Sequence, residues 1–514
     1  MPDPSMSIIV GDNETGKSTL LEAIALALTA HIDGRWAGEE LNPYWFNNDL
    51  VRTFFDNVKA QTPAAPPEIE VELYFDSTAP EIQRMRGMHN SCREDSPGVA
   101  LRVALNPDYA AEFCDYMQSS DRPDILPTEY FAVSWRDFND TPMERQPKGL
   151  GVSFIDSRTI RSKVGVDHHT RQILSSFLDP KTRAEISVVH RKSRHDMTTG
   201  ALAELNAKIA AEDWGLHDKQ VGLTMDQSAR ASWETGVVPQ VGEVPFAMAG
   251  QGQQAAIKVA LALHRTAVST RFVLIEEPET HLAYSSLHRL VDRIQQLAGT
   301  QQQLFLTTHS SFVLNRLGLD RLLLLRGNRI CRITDLSGET VSYFKHLSGY
   351  DTLRLVLADR LVLVEGASDE MVFKRGYKDT YGQYPEARGV DVLSMNGLSY
   401  KRALELCAQL KRDVVVIRDN DGTPADEHRL AVATYLSDER QLIAGDPVDG
   451  STLEPQLIMA NGEEHLRTVL GLSEKDRLET WMPNHKTEAA LRILTTPETI
   501  TMPTYLTEAI ALLP

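Results

Sequence analysis

A short apolar run, Ser7-Ile8-Ile9-Val10, leads directly into Gly11-Asp-Asn-Glu-Thr-Gly16-Lys17-Ser18-Thr19. The run predicts a buried strand, and the apolar segment from Lys17 to Ala30 predicts a helix. Gly-x4-Gly-Lys-Ser between a strand and a helix is the P-loop pattern, in which backbone N–H groups surround phosphates. We therefore predict an α/β domain with a nucleotide-binding loop. Its nucleotide-binding residues are predicted to be Gly11, Asn13, Gly16, Lys17, Ser18 and Thr19.

A second apolar run, Phe272 to Ile275, ends in the adjacent carboxylates Glu276 and Glu277. In a P-loop ATPase, one such carboxylate can bind Mg²⁺ and the other can orient or deprotonate water. We assign Glu276 to the metal, together with the Ser18 hydroxyl, and Glu277 to the water. Lys17 is expected to reach the β- and γ-phosphates. ATP and Mg²⁺ are the cofactors that this set implies.

Two further features of the sequence bear on the nucleotide site. His309 comes after the apolar strand 303–307 and could sense the γ-phosphate; the alternative is a residue at the start of a helix. The turn at Ala249-Gly250-Gln251-Gly252 resembles the signature loop of ABC-type ATPase heads, and this resemblance makes Gly250 and Gly252 nucleotide-binding residues. Relatives usually have Ser at the position of Ala249, so the backbone N–H groups of the two glycines would have to make the contact.

A second group of acids follows another pair of predicted strands. Glu365 ends the run Leu361 to Val364, and Asp419 and Asp421 follow the run that starts at Val414. With helices between them, these strands alternate as βαβαβ, which predicts a parallel sheet with the three carboxylates at one edge. Clustered carboxylates repel one another unless cations neutralise them, so we predict a catalytic site for Mg²⁺ or Mn²⁺. A plain turn at 419–422 is the alternative.

The Glu and Asp-x-Asp pattern resembles the Toprim fold, and with the ATPase head before it the chain resembles the OLD family of ATP-dependent nucleases. Val364-Glu-Gly366 and Arg418-Asp-Asn-Asp421 are among the pieces that carry the resemblance. The resemblance implies that Asp369 and Glu454 are further metal ligands and that Lys486 is a catalytic lysine. For Glu454 and Lys486, ordinary surface charge is the alternative.

The predicted organisation is an ABC-type ATPase domain at 1–345 and a Toprim nuclease domain at 346–514. Mixed charge and a helical pattern at about 160–235 predict a helical insertion, which is our candidate for dimerisation. Family members usually have strands before the P-loop strand, whereas only six residues precede Ser7 here. Either the start is truncated or another segment completes the sheet.

Overall composition bears on where the protein is located and on how it could bind DNA. Four scattered cysteines without a C-x-x-C pair fit reduced thiols, and neither a signal peptide nor a membrane-spanning stretch is visible. We therefore expect a cytoplasmic protein that has no membrane partner. The net charge of −18 opposes passive DNA binding but leaves room for a metal-dependent enzyme acting on DNA.

The leading hypothesis is an ATP-regulated, metal-dependent DNA endonuclease that forms a homodimer or a larger homo-oligomer. The resemblance further implies a role in anti-phage defence and, for some relatives, a separate helicase-like partner. The alternative is an ATP-driven DNA-maintenance sensor or clamp with a non-catalytic Toprim domain. The complete acidic set and the absence of long heptads argue against the clamp. A topoisomerase or primase would need modules that the sequence does not show.

Overall fold

The fold was obtained as a computed structural model. It describes residues 2–514 apart from 33, 120, 148, 157–177, 212–220, 227–232, 234–239, 265–270, 298–301, 328, 334–335, 348–350 and 474–475. Much of the predicted helical insertion at 160–235 lies outside the described residues. The described part of that segment contains two helices, Pro180–Thr199 and Ala203–Ala211, in agreement with the predicted helical character.

The described strands alternate with helices through most of the chain. The strands are β1 (Met6–Gly11), β2 (His31–Ile32), β3 (Arg35–Trp36), β4 (Ile69–Tyr74), β5 (Arg86–Gly87), β6 (Ser96–Leu105), β7 (Phe131–Asp137), β8 (Val152–Asp156), β9 (Gln240–Val241), β10 (Val244–Pro245), β11 (Phe272–Glu276), β12 (Gln303–Thr307), β13 (Leu322–Arg326), β14 (Arg329–Arg332), β15 (Arg360–Val364), β16 (Val390–Ser394), β17 (Asp413–Arg418) and β18 (Arg440–Ala444). The helices are α1 (Lys17–Thr29), α2 (Asn48–Lys59), α3 (Pro80–Gln83), α4 (Ala110–Gln118), α5 (Pro180–Thr199), α6 (Ala203–Ala211), α7 (Gln251–His264), α8 (Tyr284–Leu297), α9 (Ser311–Leu317), α10 (Gly338–His346), α11 (Thr352–Leu357), α12 (Ala367–Tyr381), α13 (Tyr400–Leu410), α14 (Ala425–Leu430), α15 (Leu453–Asn461), α16 (Glu463–Leu470), α17 (Leu478–Asn484), α18 (Lys486–Thr495) and α19 (Thr504–Ala511). The mixed α/β class is therefore confirmed.

The chain forms two compact units. One consists of residues 1–3, 7–17 and 308–514, and the other of residues 4–6 and 18–307. The P-loop thus contributes to both units, since the division falls between Lys17 and Ser18. The predicted boundary between residues 345 and 346 divides the chain by function and stays a prediction.

The unit that contains residues 308–514 is built on a parallel sheet with the strand order β16-β15-β17-β18. The inner strand β15 is apolar without interruption from Leu361 to Val364, and all four residues are buried. Such runs are typical of parallel strands covered on both faces. Leu363 aligns with Leu393 of β16 and with Val416 of β17. The predicted βαβαβ sheet is confirmed, and β18 extends it by a strand that the sequence analysis did not predict.

Helices cover this sheet and are anchored to it by specific contacts. The helix α12 ends at Gly382, whose φ of 76° is left-handed and suits a residue without a Cβ. Arg375 on α12 is buried and donates hydrogen bonds to the carbonyl oxygens of Ile493, Thr496 and Glu498. These bonds fix the segment after α18 against α12. In the same unit, β1 pairs in parallel with β13, and β13 pairs antiparallel with β14.

The other unit contains parallel strands in the order β12-β11-β8 and an antiparallel sheet in which β6 pairs with β4, β5 and β7. Alternating burial along β6 and β7 places aromatic and aliphatic side chains on one face. The resulting core includes Phe46, Phe54, Phe55, Phe113, Phe131 and Trp135. Within the described residues, no helix combines the length and apolar character needed to cross a bilayer.

Candidate functional site

The P-loop lysine is turned toward its own loop. Lys17 is 7% exposed, and its Nζ donates to the carbonyl oxygens of Gly11 and Asp12 at 2.9 and 2.7 Å. Gly16 has a φ of +88°, a left-handed conformation that a glycine adopts without strain. Gly11 also lacks room for a side chain, because a Cβ there would lie 2.8 Å from the Leu325 carbonyl oxygen. The loop geometry thus requires both glycines of the pattern.

The two residues that the sequence assigns to Mg²⁺ at this loop are in direct contact. Ser18 Oγ donates a hydrogen bond to Glu276 Oε1. Glu276 is the last residue of β11 and is 1% exposed. A hydroxyl and a carboxylate at the end of a buried strand are oxygen ligands of the kind that Mg²⁺ accepts in NTPases. The structure therefore brings this pair together, and the assignment to Mg²⁺ stays a prediction.

Glu277 lies just beyond the end of the strand in an unusual backbone conformation. Its φ is +42°, and its N–H donates to the Thr307 carbonyl oxygen at 3.1 Å. Its carboxylate accepts from the Thr280 hydroxyl at 3.3 Å. Left-handed backbone at a non-glycine residue costs on the order of 1 kcal/mol and is frequent at functional sites. The turn directs the chain away from β11 immediately after the two carboxylates.

The remaining nucleotide-site residues are accessible to solvent. Asn13, Thr19 and His309 are exposed, and His309 follows β12 as predicted. Exposure at the loop is what a bound nucleotide would require. Their roles stay predictions.

The two glycines of the signature-like turn have different structural settings. A Cβ on Gly252 would lie 2.3 Å from the His281 carbonyl oxygen, whereas a Cβ on Gly250 would meet nothing within 4 Å. Gly252 is therefore explained by close packing of α7 against the segment that follows β11. Gly250 has no packing reason of this kind, and its nucleotide role stays a prediction.

The predicted Toprim acids meet at one edge of the parallel sheet. Glu365 follows β15 and Asp419 follows β17, and these two strands are direct neighbours. The backbone N–H of Asp419 donates to Glu365 Oε1 at 3.2 Å. Asp421 has a φ of +51° and is exposed. The topology thus brings together the acids that the sequence placed 54 residues apart.

Asp419 carries a buried oxygen, Oδ1, that has no hydrogen-bond partner among the described residues. Burial first, and then the nearby charges of Asp369, Glu365 and Glu454, together raise the pKa of Asp419 to about 7. Burial also raises the pKa of Asp369 to about 6 and raises that of Glu365. A buried acceptor among acids with raised pKa values suits a divalent cation, which would neutralise them. These oxygen donors are of the chemical type that Mg²⁺ and Mn²⁺ accept, and the metal site stays a prediction.

Asp369, the fourth predicted acid, also has a structural role. Its Oδ2 accepts the backbone N–H of Gly366 at 3.1 Å, which caps the start of α12. This is the contact that the acid at the third helical position makes in a capping box. The charge of Asp369 thus interacts with those of Glu365 and Asp419. Its hydrogen bond also fixes the loop that carries Glu365.

Glu454 and Lys486, which rest on short sequence matches, lie together. Lys486 Nζ is 3.2 Å from Glu454 Oε1, and the Glu454 residue is 3% exposed. Burial alone lowers the pKa of Lys486, but the carboxylates of Glu454, Asp419 and Asp369 outweigh it and the pKa is raised. The lysine therefore stays charged beside the acidic cluster.

One arginine, Arg418, holds part of this cluster as it stands. Arg418 Nη2 is 2.7 Å from Asp421 Oδ2, and its Nε is 3.7 Å from Glu365 Oε1. Within the described ranges, no group of three or more His, Cys or acidic side chains is arranged to hold a metal ion. Arg418 and Lys486 form ion pairs with Glu365, Asp421 and Glu454 in this arrangement. The metal-ligand assignments stay predictions.

Two residues near the cluster were not predicted. Arg418 belongs to the quoted Arg418-Asp-Asn-Asp421 motif, yet no role was given to it. Tyr505 on α19 is buried, and its pKa is raised well above the usual value by burial and then by the charges of Asp369 and Asp419. Nothing in the local sequence around Tyr505 indicates this proximity, because the chain returns to the cluster only through tertiary packing.

Three family models match the chain. "AAA domain" matches residues 2–83, "AAA domain, putative AbiEii toxin, Type IV TA system" matches residues 115–315, and "Overcoming lysogenization defect protein-like, TOPRIM domain" matches residues 356–421. The chain therefore joins an AAA-type ATPase domain to an OLD-like TOPRIM domain. A search of curated proteins found no match.

Several solved structures are similar to parts of the chain. The C-terminal region of the Burkholderia pseudomallei OLD protein is 19% identical, with 30% of this chain and 97% of that chain covered and a TM-score of 0.26. The C-terminal region of the Xanthomonas campestris pv. campestris OLD protein is 17% identical, with 30% and 92% covered and a TM-score of 0.24. The SMC head domain from Thermotoga maritima is 12% identical, with 63% and 86% covered and a TM-score of 0.26. At TM-scores this low, the solved structures carry no argument. The assignment of the ATPase and TOPRIM domains therefore rests on the family models.

Proposed function

We propose that this chain, which belongs to the OLD family of ATPase–TOPRIM proteins, is a metal-dependent DNA endonuclease whose cleavage is regulated by ATP. The observation that carries the proposal is the buried, unpartnered Asp419 Oδ1 among Glu365, Asp369 and Glu454. A structural carboxylate would be expected to have a hydrogen-bond donor at each buried oxygen. An oxygen left without one among other acids is suited to a cation.

In this proposal, Glu365, Asp419 and Asp421 would hold Mg²⁺ or Mn²⁺, with Asp369 and Glu454 at the same site. The bound cations would supply Lewis acidity and lower the pKa of water. Lys486 has a half-exposed ammonium group beside the acids. It would stabilise negative charge that develops on a DNA phosphate. The carboxylates alone would repel that phosphate, so a bound cation would be needed before a phosphate could approach these acids.

At the P-loop, ATP phosphates would take over the hydrogen bonds that Lys17 Nζ makes to Gly11 and Asp12. Ser18 and Glu276 would bind Mg²⁺, and Glu277 would orient the attacking water. Asn13, Thr19 and the backbone of Gly250 would contact the nucleotide, and His309 would sense the γ-phosphate. Hydrolysis of ATP at this loop would change the rate at which the TOPRIM acids cleave DNA.

The wider setting is part of the same proposal. DNA is the substrate, the assembly is a homodimer or a larger homo-oligomer, and residues of the 160–235 segment mediate dimerisation. The domains divide near residue 345. A cytoplasmic role in anti-phage defence, with a separate helicase-like partner, is what the OLD resemblance implies. The clamp hypothesis differs at one point, since it requires no cleavage at the TOPRIM acids.

Cleavage of supercoiled and linear plasmid DNA, with Mg²⁺ or Mn²⁺ and with or without ATP, tests the proposal. The variants are Lys17→Ala and Asp421→Ala, with Asp426→Asn as a control for removal of an exposed acid. Asp426 lies near the site in sequence, and its side chain is 92% exposed. We expect Asp421→Ala to lose cleavage and Asp426→Asn to keep it.

Lys17→Ala tests regulation separately. We expect this variant to cleave DNA at a rate that ATP no longer changes, because its TOPRIM acids are intact. If ATP changes cleavage by Lys17→Ala as it does in the wild type, ATP regulation through the P-loop is wrong. If the wild type cuts neither plasmid form with either metal, the clamp hypothesis replaces the nuclease.

A further inference from the structure

Arg418 is the last residue of β17, and it lies between the predicted metal ligands. Its Nε donates to the carbonyl oxygen of Asp419 at 2.9 Å, and its Nη2 donates to Asp421 Oδ2 at 2.7 Å. The same Nε is 3.7 Å from Glu365 Oε1. The Arg418 side chain is 13% exposed, whereas the Asp421 side chain is 62% exposed, so the arginine is enclosed while this partner faces solvent. One guanidinium group therefore neutralises two of the acids at the sheet edge.

The guanidinium group is also held from one face. Its central carbon lies 4.9 Å from the centroid of the Tyr400 ring, at the start of α13. A cation at this distance from an aromatic ring gains about 0.5–2 kcal/mol, depending on its exposure. The ring, the Asp419 carbonyl oxygen and the two carboxylates together fix the guanidinium plane. Arg418 is thus built into the site and is not a mobile surface cation.

The position of Arg418 has a consequence for the binding of a divalent cation. A carboxylate oxygen that bonds a guanidinium N–H directs its lone pairs at that group, and a cation brought to the same carboxylate would be repelled by the arginine charge. Arg418 occupies one oxygen of Asp421 and lies beside one oxygen of Glu365, so a cation that approaches these carboxylates meets the positive charge of the guanidinium group. Metal loading is therefore opposed while the guanidinium group stays as observed, and movement of that group would remove the opposition.

We propose that Arg418 is an internal counter-ion that competes with the divalent cation for Glu365 and Asp421. It is a positioning residue: it keeps the acids neutralised and ordered before metal arrives, and it lowers the affinity of the site for metal. This inference rests on the proposed function, because it takes the TOPRIM acids as metal ligands. With Arg418 in place, the site would therefore need a higher concentration of divalent cation to be occupied.

Direct Mn²⁺ binding measured by isothermal titration calorimetry, without DNA or nucleotide, tests the inference. All titrations use the full chain carrying Glu276→Gln, so that the nucleotide-loop site does not contribute. In this background, we expect Arg418→Gln to bind Mn²⁺ at least about tenfold more tightly, a difference of about 1.4 kcal/mol. Glutamine is neutral and can still donate to the Asp419 carbonyl oxygen.

Two further variants distinguish competition from a general structural effect. Arg418→Lys keeps the positive charge, so we expect its Mn²⁺ affinity to stay within about threefold of the background. Tyr400→Ala removes the ring that holds the guanidinium group and leaves every carboxylate in place. It should tighten binding by about two- to fivefold, and it keeps the inference testable if Arg418→Gln does not fold.

The outcomes separate the inference from the proposed function. If the background protein binds Mn²⁺, Asp419→Asn abolishes the binding and both Arg418→Gln and Tyr400→Ala bind no more tightly, the counter-ion role is wrong and the metal site stands. If the background protein shows no Mn²⁺ binding that depends on Asp419, the metal site is wrong and the inference falls with it.

Discussion

Lys486 Nζ lies 3.2 Å from Glu454 Oε1, which joins two residues 32 positions apart in the sequence. Each rests on a short sequence match, for which surface charge is the alternative. The structure removes that alternative for Glu454, which is 3% exposed. A buried carboxylate with a lysine partner, coupled to Asp419 and Asp369, belongs to the acidic cluster. Its catalytic or metal-binding role stays a prediction.

The first prediction concerns this ion pair. Lys486→Met removes the ammonium group and leaves the buried Glu454 carboxylate with the Thr452 hydroxyl, which donates to it at 2.8 Å. We expect a loss of about 1–3 kcal/mol of stability from the weakened pairing. We also expect DNA cleavage to fall about 10²-fold or more, as for loss of one electrostatic stabiliser. Thermal unfolding and a plasmid nicking rate measure the two effects.

A double variant provides the control for the Lys486 prediction. Glu454→Gln removes the buried charge, so adding it to Lys486→Met should recover part of the melting temperature and none of the cleavage. If Lys486→Met cleaves DNA at the wild-type rate, the lysine has only a structural role.

The second prediction concerns Arg412, which is 2% exposed. Its guanidinium group donates to the Val356 carbonyl oxygen at 2.7 Å and lies 3.3 Å from Asp359 Oδ1. Asp359→Asn removes the charge that neutralises this arginine and that also pairs with Arg326. Because the Asp359 side chain is 65% exposed and solvent screens the pair, we expect a loss of about 1–2 kcal/mol. Differential scanning calorimetry should show a lower melting temperature.

Asp426→Asn is the matched control for Asp359→Asn, since its partner Arg429 is 40% exposed. Exposed pairs contribute little, so its effect should stay within about 0.5 kcal/mol. Equal melting temperatures for the two variants would show that the contact with Asp359 does not stabilise Arg412.

The third prediction separates the two glycines of the signature-like turn. Gly252→Ala places a Cβ 2.3 Å from the His281 carbonyl oxygen. Alanine in a helix normally gains about 1 kcal/mol over glycine, but overlap with a backbone atom outweighs that gain. We expect a lower melting temperature for Gly252→Ala. Gly250→Ala meets nothing within 4 Å and should leave the melting temperature unchanged. An unchanged or raised melting temperature in Gly252→Ala would contradict the packing explanation.

The fourth prediction concerns thiol reactivity. Cys407 is buried, and burial raises its pKa to about 12, whereas Cys92, Cys114 and Cys331 are exposed. The thiolate is the reactive form, so a raised pKa keeps Cys407 protonated and unreactive at pH 8. In a titration with an aromatic disulfide reagent, we expect three thiols to react in the native protein and the fourth only after denaturation. Rapid reaction of four thiols under native conditions would contradict this burial.

The parts of the fold that were predictable are those set by local pattern. Buried apolar runs such as Leu361 to Val364 predicted parallel strands, and strand adjacency then brought Glu365 beside Asp419. Arg418 and Tyr505 were not predictable as site residues, because their roles depend on tertiary packing around the sheet edge. Gly252 shows a further limit, since its motif suggested nucleotide contact and the structure adds a packing reason that only a neighbouring carbonyl group reveals.

The central claim is that Asp419, with its buried and unpartnered oxygen, is part of a metal-dependent cleavage site. The most direct test is the initial rate of supercoiled plasmid cleavage by wild type, Asp419→Asn and Asp426→Asn across a range of Mn²⁺ concentrations. We predict that wild type and Asp426→Asn cleave at similar rates that rise with Mn²⁺, and that Asp419→Asn is at least about 10²-fold slower at every concentration. Cleavage by Asp419→Asn at the wild-type rate would contradict the claim.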